Sequence, residues 1–297
     1  MNISEIWPTD APPIDEAKKF LEKYQNKKIV LKYGGQVMAS LKLSKAFAED
    51  AAVCNKIGVN TIVIHGGGPQ IQRKLNQNKI ESKFISGLRV TDNKIIRIVE
   101  DVLLNEINPD LVNSIKKYGV NSISINAKNS DIIRVNGSKD PRLGFVADPD
   151  QINGNIINVL ISEKKIPVIA PIGIDKTNQV YNINADTVAG KISEKINADR
   201  LLLMTDVPGV NDKNGKLIEK LTISEASILI SKGVITKGMI PKILTCISCI
   251  KGGVSGVVII DGRKPHAVLY ELFSEAGAGT LIAVSYTHLT LTTKRIV

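Results

Sequence analysis

Short apolar runs alternate along this 297-residue chain with longer segments in which apolar residues recur at helical spacing. Two of the runs, residues 29–31 and 61–64, have the length of buried strands, and each leads into a glycine-rich turn. Residues 43–56 and 69–78 carry helical periodicity after those turns. This alternation predicts an α/β fold with an open, mainly parallel central sheet that is sandwiched by helices.

The same pattern continues to about residue 260. Helices are predicted at residues 94–107, 110–118 and 187–196, and strands at residues 121–125, 166–171, 200–204 and 257–260. Residues 132–150 combine Gly, Pro and charge with short alternating apolar positions, which suggests a hairpin. A second half begins near Thr177, and the length allows either one large domain or two lobes that share a sheet.

Three prolines, Pro8, Pro12 and Pro13, precede an amphipathic segment near the N-terminus. From Ile14 to Gln25 the spacing predicts one helix before the first strand. We expect this helix to be dispensable to a compact core, and to pack either on its own domain or on a neighbouring subunit.

The formal net charge is +10, but the Lys and Arg residues are scattered and lack interleaved aromatic residues. Nucleic-acid binding usually needs a concentrated basic patch, so we expect no nucleic-acid partner. A solvated basic surface that attracts anionic small molecules is the favoured interpretation.

Three cysteines without a signal peptide fit a reducing compartment and no disulfide framework. Cys246 and Cys249 form a C-x-x-C in a predicted helix, but no second pair completes a zinc site, so we expect them to pack in the core. No apolar run approaches the ~20 residues of a membrane span. We therefore expect a soluble protein with no membrane partner, which is cytoplasmic or, if plastid-encoded, lies in the plastid stroma.

The two glycine-rich turns are the strongest functional signal. Lys32 precedes Gly34 and Gly35, and the second turn contains Gly66 and Gly67. Glycine lets backbone N–H groups approach an anion closely, and a helix N-terminus behind the turn adds partial positive charge. Neither standard nucleotide-binding fingerprint is present, so tight-turn geometry alone stays open as an alternative.

Three charged residues strengthen the anion interpretation. Lys32 adjoins the first turn, Asp186 lies at the start of a helix, and Lys242 lies near the start of another. Two lysines with a carboxylate between them suit phosphoryl transfer, because they neutralise charge from two sides while the acid fixes them. Taken singly, each lysine could be solvated and Asp186 could cap its helix.

An ordered set of motifs resembles that of the N-acetylglutamate kinases, within the amino-acid kinase family. The motifs are Lys-Tyr-Gly-Gly at 32–35, His-Gly-Gly-Gly at 65–68, Gly-Leu-Arg-Val-Thr at 87–91, Tyr-Asn-Ile-Asn-Ala-Asp at 181–186, Leu-Met-Thr-Asp-Val-Pro-Gly-Val at 203–210 and Gly-Met-Ile-Pro-Lys at 238–242. The resemblance covers residues 15–283. Single motifs are shared with carbamate, aspartate and uridylate kinases, but the third and fourth together are more particular.

The resemblance implies roles for individual residues. Lys32 and Lys242 would be catalytic and neutralise the phosphates, and Asp186 would orient them. The substrate would be bound by Gly34, Gly35, Gly66, Gly67, Arg89 and Asn182. The four glycines would supply backbone contacts to the acyl acceptor and to the moving phosphoryl group, Arg89 would clamp the α-carboxylate, and Asn182 would hydrogen-bond the acetamido group. The nucleotide would be bordered by Thr205, Asp206, Val210, Gly238 and Met239.

The implied reaction transfers a phosphoryl group from ATP to the γ-carboxylate of N-acetyl-L-glutamate, giving N-acetylglutamyl 5-phosphate in arginine biosynthesis. This nucleophile has a reference pKa of about 4.3 and is ionised at neutral pH, so no general base is needed. His65, in the second glycine turn, is expected to pack the loop. Mg²⁺ would arrive on the nucleotide, and no dedicated metal ligands are expected.

The resemblance also divides the chain. Residues 1–26 would be a helical extension, residues 27–176 a lobe for acyl-acceptor binding and dimerisation, and residues 177–283 a nucleotide-binding lobe, with the two lobes sharing the sheet. Residues 284–297 do not resemble the family's ending and are interpreted as an atypical, artefactual tail.

Residues 266–273 and 277–280 resemble the C-terminal signature of arginine-inhibited members. His266, Glu271 and Gly277 would contact L-arginine, and N-terminal helices would link homodimers into a hexamer, a trimer of dimers. A nitrogen-signalling regulatory protein, which docks on photosynthetic relatives, would be a further partner. An amphipathic helix with a surface carboxylate is the alternative.

Two other classes of function stay open. A sibling kinase that acts on carbamate, aspartate or glutamate is the nearest, and Arg89 and Asn182 argue against carbamate, which has neither an α-carboxylate nor an amide arm. A non-catalytic sensor of nucleotide or arginine could lose a phosphate-binding lysine, but Lys32, Asp186 and Lys242 are all present.

Overall fold

The continuous apolar runs form the centre of an eight-stranded sheet in the computed structural model, which describes residues 3–138, 140–235 and 238–284. In chain order the strands are β1 (Lys28–Tyr33), β2 (Asn60–His65), β3 (Phe84–Ile85), β4 (Leu88–Arg89), β5 (Ser122–Ile125), β6 (Ile133–Arg134), β7 (Gln151–Ile152), β8 (Ile166–Ile169), β9 (Ile172–Ile174), β10 (Val180–Asn182), β11 (Arg200–Thr205), β12 (Lys220–Thr222), β13 (Val257–Asp261) and β14 (Gly279–Ala283).

Helices cover both faces of this sheet. They are α1 (Ile14–Lys18), α2 (Leu21–Tyr24), α3 (Leu41–Lys56), α4 (Gly68–Gln77), α5 (Asn93–Asp101), α6 (Asn108–Lys116), α7 (Ala127–Ser130), α8 (Gly154–Ser162), α9 (Ala185–Lys195), α10 (Ile223–Ser231), α11 (Ile240–Lys251) and α12 (Ala267–Phe273). Short 3₁₀ turns span Ile3–Glu5, Gly35–Ala39 and Pro141–Leu143, and a π-helical turn spans Val102–Ile107.

The large sheet has the order β12-β14-β13-β11-β1-β2-β8-β5. Its pairings are parallel except that between β13 and β14. One half of the sheet comes from the chain before residue 177 and the other half from the chain after it, and they meet where β1 pairs with β11. The predicted fold, a mainly parallel sheet shared by two halves of the chain, is confirmed.

Each face of the sheet has its own core cluster. Ile29, Leu31 and Tyr33 of β1 pack on one face with α3, α6 and α12, whereas Val30 packs on the other face with α9 and α11. Both faces are buried because helices cover both, which is why β1, β2 and β11 read as unbroken apolar runs. By alternation Lys32 belongs to the row of Val30.

A smaller sheet, with the order β10-β9-β6-β7, and the two-stranded hairpin of β3 and β4 complete the strand structure of the described residues. The hairpin suggested for residues 132–150 corresponds to the antiparallel pair of β6 and β7, in which Ile133 faces Ile152. A 3₁₀ turn lies in the long connection between them.

The two helices predicted at residues 94–107 and 110–118 are one helical run, which corrects the prediction. The π-helical turn joins α5 directly to α6, and Asn108 keeps helical dihedral angles of −62° and −48° just before Pro109. Pro109 has no N–H to donate, and it lies at the junction where the π-helical turn passes into α6 and the hydrogen-bond pattern changes.

The N-terminal segment also differs from its prediction. Instead of one helix over residues 14–25, the chain forms α1 and α2 with a break between them. Trp7 and Tyr24 contact the ring of Phe273 edge-to-face, at centroid distances of 5.7 Å and 5.6 Å. The expectation that this segment is dispensable to a compact core is therefore wrong, because it contributes aromatic side chains to the core against α12.

Cys246 and Cys249 are buried on α11, as predicted for packing residues. A Cβ atom at Gly190 of α9 would lie 2.7 Å from Cys249 Sγ, so the two helices approach closely there. Burial raises the pKa of Cys249 to about 12, which keeps the thiol protonated and unreactive.

No helix among the described residues has both the length and the apolar character needed to cross a bilayer. The predicted tail, residues 284–297, lies outside the described residues except for the exposed Val284.

Candidate active site

The carboxyl ends of β1 and β2 open onto a cleft of about 300 Å³. The two strands are parallel neighbours with Tyr33 opposite His65, so the glycine turns that follow them lie side by side. The cleft is lined by most of the predicted catalytic and acceptor-binding residues, namely Lys32, Gly35, Gly66, Gly67, Arg89, Asn182, Asp186 and Lys242.

The carboxylate of Asp186 contacts both predicted lysines. Lys32 Nζ lies 2.9 Å from Asp186 Oδ1, and Lys242 Nζ donates to Asp186 Oδ2 at 2.5 Å. The exposed fractions of the Lys32, Asp186 and Lys242 side chains are 9%, 13% and 22%. Three separate elements, β1, α9 and α11, therefore converge on one largely buried ionic group.

The charge of this group follows from the pairing. Burial alone would raise the pKa of Asp186, but the charges and hydrogen bonds of Lys32 and Lys242 hold that pKa well below its usual range. The carboxylate is therefore ionised at neutral pH, and the group of three keeps a net positive charge. A cleft with such a group attracts polyanions.

Asp186 is free to contact the lysines because another residue caps its helix. Asn184 Oδ1 accepts hydrogen bonds from the backbone N–H groups of Asp186 and Thr187, at 2.8 Å and 3.2 Å. The alternative that Asp186 is merely the helix cap is therefore wrong. The cap also fixes the first turn of α9, and with it the direction of the Asp186 side chain.

The glycines of the two turns are needed for space. A Cβ atom at Gly34 would lie 2.9 Å from Lys32 Nζ, in the room that the ammonium group occupies. A Cβ atom at Gly67 would lie 2.5 Å from Leu103 Cδ2, so the second turn rests directly on the π-helical turn. The N–H of Gly66 donates to Tyr33 O at 2.7 Å and thus extends the sheet pairing.

Arg89 lies in the cleft with its guanidinium group held by neutral acceptors. Its Nη1 donates to Gln72 Oε1 at 2.7 Å and to Ser82 Oγ, and its Cζ lies 4.7 Å from the centre of the Phe84 ring. Burial lowers the pKa of Arg89 without discharging it. No acidic residue of the described ranges lies within ion-pair distance, so its positive charge is uncompensated by the protein.

Asn182 lies at the end of β10, where its backbone and its side chain are both hydrogen-bonded. Its backbone N–H donates to Phe145 O at 2.9 Å, and its Nδ2 donates to Thr91 Oγ1 at 3.4 Å. Thr91 Oγ1 in turn donates to Arg89 O at 2.8 Å. The Asn182 amide is thus linked through Thr91 to the backbone that carries Arg89.

The residues predicted to border the nucleotide lie outside this cleft. Thr205 is at the carboxyl end of β11, beside β1, and donates to Asp206 Oδ1 at 3.2 Å. Val210 is buried, and its N–H donates to Thr280 Oγ1 at 2.8 Å. Gly238 and Met239 immediately precede α11, which carries Lys242.

The described residues offer no metal centre of their own. Among them no group of three or more His, Cys, Asp and Glu side chains is arranged to hold a metal ion. Asp186, the acid of the cleft, is committed to two lysines. These residues therefore do not fit a protein-held Mg²⁺.

Two of the three residues predicted to contact arginine lie together, in a cavity that shares no lining residue with the cleft. Glu271 Oε2 accepts from Ala278 N at 2.8 Å, next to Gly277, which adopts a φ of 67°. Glu271 and Gly277 line a small cavity of about 40 Å³ together with Lys23 and Arg200. Burial, assisted by the charge of Arg200, lowers the pKa of Lys23 to about 8.

His266, the third residue, is not among those lining this cavity. Its Nδ1 lies 2.6 Å from Asp50 Oδ1, and Asp50 Oδ2 also accepts from Val268 N at 3.3 Å. The pair fastens the start of α12 to α3.

The comparison with known families agrees with this geometry. A family model described as the amino acid kinase family matches residues 27–261. The chain belongs to the amino acid kinase family. The matched span includes Lys32, Asp186 and Lys242.

Individual amino acid kinases narrow the type of enzyme. The chain is 48% identical over 277 residues to the acetylglutamate kinase of Pelagibacter ubique, a match that covers 93% of this chain and 96% of that protein. It is 48% identical over 279 residues to the acetylglutamate kinase of Rhizobium etli, covering 90% and 95%. The chain is thus an enzyme of the acetylglutamate kinase type.

Solved structures show the same fold at lower identity. An N-acetylglutamate synthase from Neisseria gonorrhoeae, complexed with coenzyme A and N-acetyl-glutamate, superposes with a TM-score of 0.82 at 20% identity, covering 91% of this chain but only 62% of that one. A carbamate kinase from Giardia lamblia bound to AMP-PNP superposes with a TM-score of 0.64 at 16% identity, covering 88% and 99%. Both likenesses concern the amino acid kinase fold alone.

The sequence did not indicate the residues that hold the predicted site residues in place by hydrogen bonds. Gln72, Ser82 and Thr91 hold the side chains of Arg89 and Asn182 but belong to no recognised pattern. Asn184 had a signal, because an Asn directly before a helix is a preferred N-cap. Asn108, which contacts His65, had none.

Proposed function

We propose that the chain transfers the γ-phosphoryl group of ATP to the γ-carboxylate of N-acetyl-L-glutamate, the acid-activating step of arginine biosynthesis. One observation carries the proposal. Asp186 bridges Lys32 and Lys242 at 2.9 Å and 2.5 Å, in the same cleft that holds the uncompensated Arg89. Relatives of the acetylglutamate kinase type support the same reaction.

The residues of the cleft suit a reaction that needs charge cancellation and no proton transfer. The acceptor carboxylate is already ionised at neutral pH. Lys32 and Lys242 neutralise the phosphoryl oxygens from two sides, and Asp186 keeps their ammonium groups in place. His65 is no general base, because burial lowers its pKa to about 4 and its ring lies in the core.

The acceptor is selected at the other side of the cleft. Arg89 is a planar, permanently charged donor whose neutral protein partners leave its charge for the α-carboxylate of the substrate. Asn182 lies beside it and offers an amide to the acetamido group. Free glutamate lacks that amide, and carbamate lacks both features.

The nucleotide is proposed to lie at the carboxyl end of β11 and the start of α11, near Thr205, Asp206, Val210, Gly238 and Met239. Lys242 begins the same helix and can reach the phosphates from that side. Mg²⁺ is proposed to accompany ATP, and the chain's own contribution to charge cancellation is the lysine pair. Residues 27–176 then form the acceptor lobe and residues 177–283 the nucleotide lobe.

Inhibition by L-arginine is proposed at the cavity beside Gly277. Its wall places the carboxylate of Glu271 near the basic Lys23 and Arg200, which complements an amino acid with a guanidinium group at one end and a carboxylate at the other. At about 40 Å³ the cavity must widen to admit arginine. His266 does not line the cavity, so it would affect arginine binding only through the position of α12. Loss of arginine inhibition in a Glu271→Gln variant with normal basal activity supports this site, and inhibition that persists unchanged contradicts it.

A homodimer, assembled further into a hexamer, is the proposed state, and the mass of the purified protein by light scattering tests it.

The activity itself is tested by ADP release with N-acetyl-L-glutamate, compared with glutamate, aspartate, carbamate and UMP. The proposal predicts turnover with the acetylated acid that far exceeds the others. Faster turnover with carbamate or UMP would contradict it.

A further inference from the structure

His65 is fully buried directly below the second glycine turn, and the reaction proposed above leaves it without a role. Its ring Nδ1 lies 2.8 Å from Gly66 O, and its Nε2 lies 3.1 Å from Asn108 Nδ2. Asn108 is itself fully buried, at the junction between the π-helical turn and α6. Both nitrogens of the imidazole are therefore engaged inside the core.

The neighbouring carbonyl groups determine which nitrogen carries the proton. Asn108 Nδ2 also lies 3.0 Å from Val168 O, and a carbonyl oxygen can only accept. Exchange of the amide atoms would place Asn108 Oδ1 against that oxygen, so the NH₂ group is correctly placed and donates to His65 Nε2 as well. Nε2 is then the acceptor, and Nδ1 carries the proton that is donated to Gly66 O.

This hydrogen bond fixes the plane of the next peptide group. The described residues contain no cis peptide bond, so the C=O of Gly66 and the N–H of Gly67 point in opposite directions. Gly66 O points to the buried imidazole. Gly66 and Gly67 both line the cleft, and the N–H of Gly66 is already used by Tyr33 O.

We propose that His65 and Asn108 are positioning residues that hold the Gly66–Gly67 peptide so that the N–H of Gly67 faces the cleft as a donor to the transferred phosphoryl group. The inference rests on the proposed function for the identity of the acceptor, but not for the tautomer or the peptide orientation. A peptide free to rotate would present the Gly66 carbonyl oxygen to an anion instead. The imidazole prevents this by holding that oxygen from below.

Two substitutions separate the roles of the ring nitrogens. In His65→Asn the side-chain NH₂ group replaces Nδ1–H and still reaches Gly66 O, whereas in His65→Gln the amide replaces Nε2 and loses that contact. We expect kcat to fall about 100-fold in His65→Gln, because misplacement of a phosphoryl donor by about 1 Å has effects of this size. In His65→Asn most of kcat should remain, and KM for the acceptor should change little in both. Equal losses of kcat in the two variants would overturn the proposal.

The tautomer is read directly in the unmodified protein, whether or not a variant folds. The chain has three histidines, so ¹⁵N-histidine labelling gives few signals, and through-bond correlation of the ring nitrogens with the backbone of His65 assigns the relevant one. We expect a neutral ring with protonated Nδ1 at neutral pH. A protonated Nε2 would overturn the proposal. If Nδ1 is protonated but N-acetylglutamate is not phosphorylated, the proposed function fails while the peptide orientation stands.

Discussion

Lys32 and Lys242 contact opposite oxygens of one carboxylate, that of Asp186, at 2.9 Å and 2.5 Å. The two lysines lie in different halves of the chain, one on a central strand and the other at a helix start. Their mutual repulsion is offset by the acid between them, so both ammonium groups can stay in a largely buried cleft. The fold thus assembles a positive site that neither half has alone.

Arg89→Lys should weaken binding of the acceptor more than turnover. Lysine keeps the charge but loses the planar pair of donors, so we expect KM for N-acetyl-L-glutamate to rise about tenfold while KM for ATP stays unchanged. Initial-rate kinetics with each substrate varied in turn measure this. Arg97→Lys, an exposed arginine on α5, is the matched control and should change neither constant. A larger effect on ATP would place Arg89 at the nucleotide.

Gly67→Ala should lower the free energy of unfolding. The added Cβ atom would lie 2.5 Å from Leu103 Cδ2 and 2.9 Å from Ile107 Cδ1, and overpacking of this kind costs about 1–3 kcal/mol. Chemical denaturation measures the loss. Gly68→Ala is the control, because nothing lies within 4 Å of its added Cβ atom. Equal stability of the two variants would show that the turn does not rest on the π-helical turn.

Asn184→Ala should affect both stability and catalysis. Loss of the cap of α9 costs about 1 kcal/mol, and the first turn that carries Asp186 is then no longer fixed. We expect a lower melting temperature together with a lower kcat. Thr222→Ala, which removes the side-chain cap of α10 away from the cleft, should lower stability alone. A normal kcat in Asn184→Ala would mean that the cap does not position the carboxylate.

His65 should make stability fall in mild acid. Burial lowers its pKa to about 4 from the usual 6.5, so between these values the unfolded chain binds a proton that the folded chain does not. The free energy of unfolding therefore decreases by up to about 3 kcal/mol as the pH falls from the higher pKa to the lower one. The difference in unfolding free energy between the unmodified protein and His65→Asn, measured at several pH values, isolates this contribution from other groups. A difference that is constant with pH would contradict the buried neutral ring.

The sequence was sufficient for the parts of the fold that depend on local pattern. The apolar runs of β1, β2 and β11 predicted buried parallel strands, and the glycine turns after the first two placed Lys32 at the edge where ligands collect. The meeting of Asp186 with both lysines followed from the resemblance to a family and from the chemistry, since no local pattern relates residues so far apart in the chain.

What the sequence did not predict depends on tertiary contacts. Tyr24 is buried against Phe273, near the other end of the chain, a contact that local periodicity does not show. The helical run continues from the π-helical turn through Pro109, where the proline had suggested a boundary between two helices. The contact between His65 and Asn108 joins a strand end to a helix, so neither sequence neighbourhood contains a sign of it.

The measurement that tests the central claim most directly is kcat for ADP release in Lys242→Met, compared with Lys251→Met at the exposed end of the same helix. Asp186 keeps its contact with Lys32 in the first variant, so the fold should survive. We predict that kcat falls at least about 100-fold in Lys242→Met, as for the loss of one charge-stabilising donor, and stays unchanged in Lys251→Met. A Lys242→Met enzyme that turns over at the unmodified rate would contradict the account.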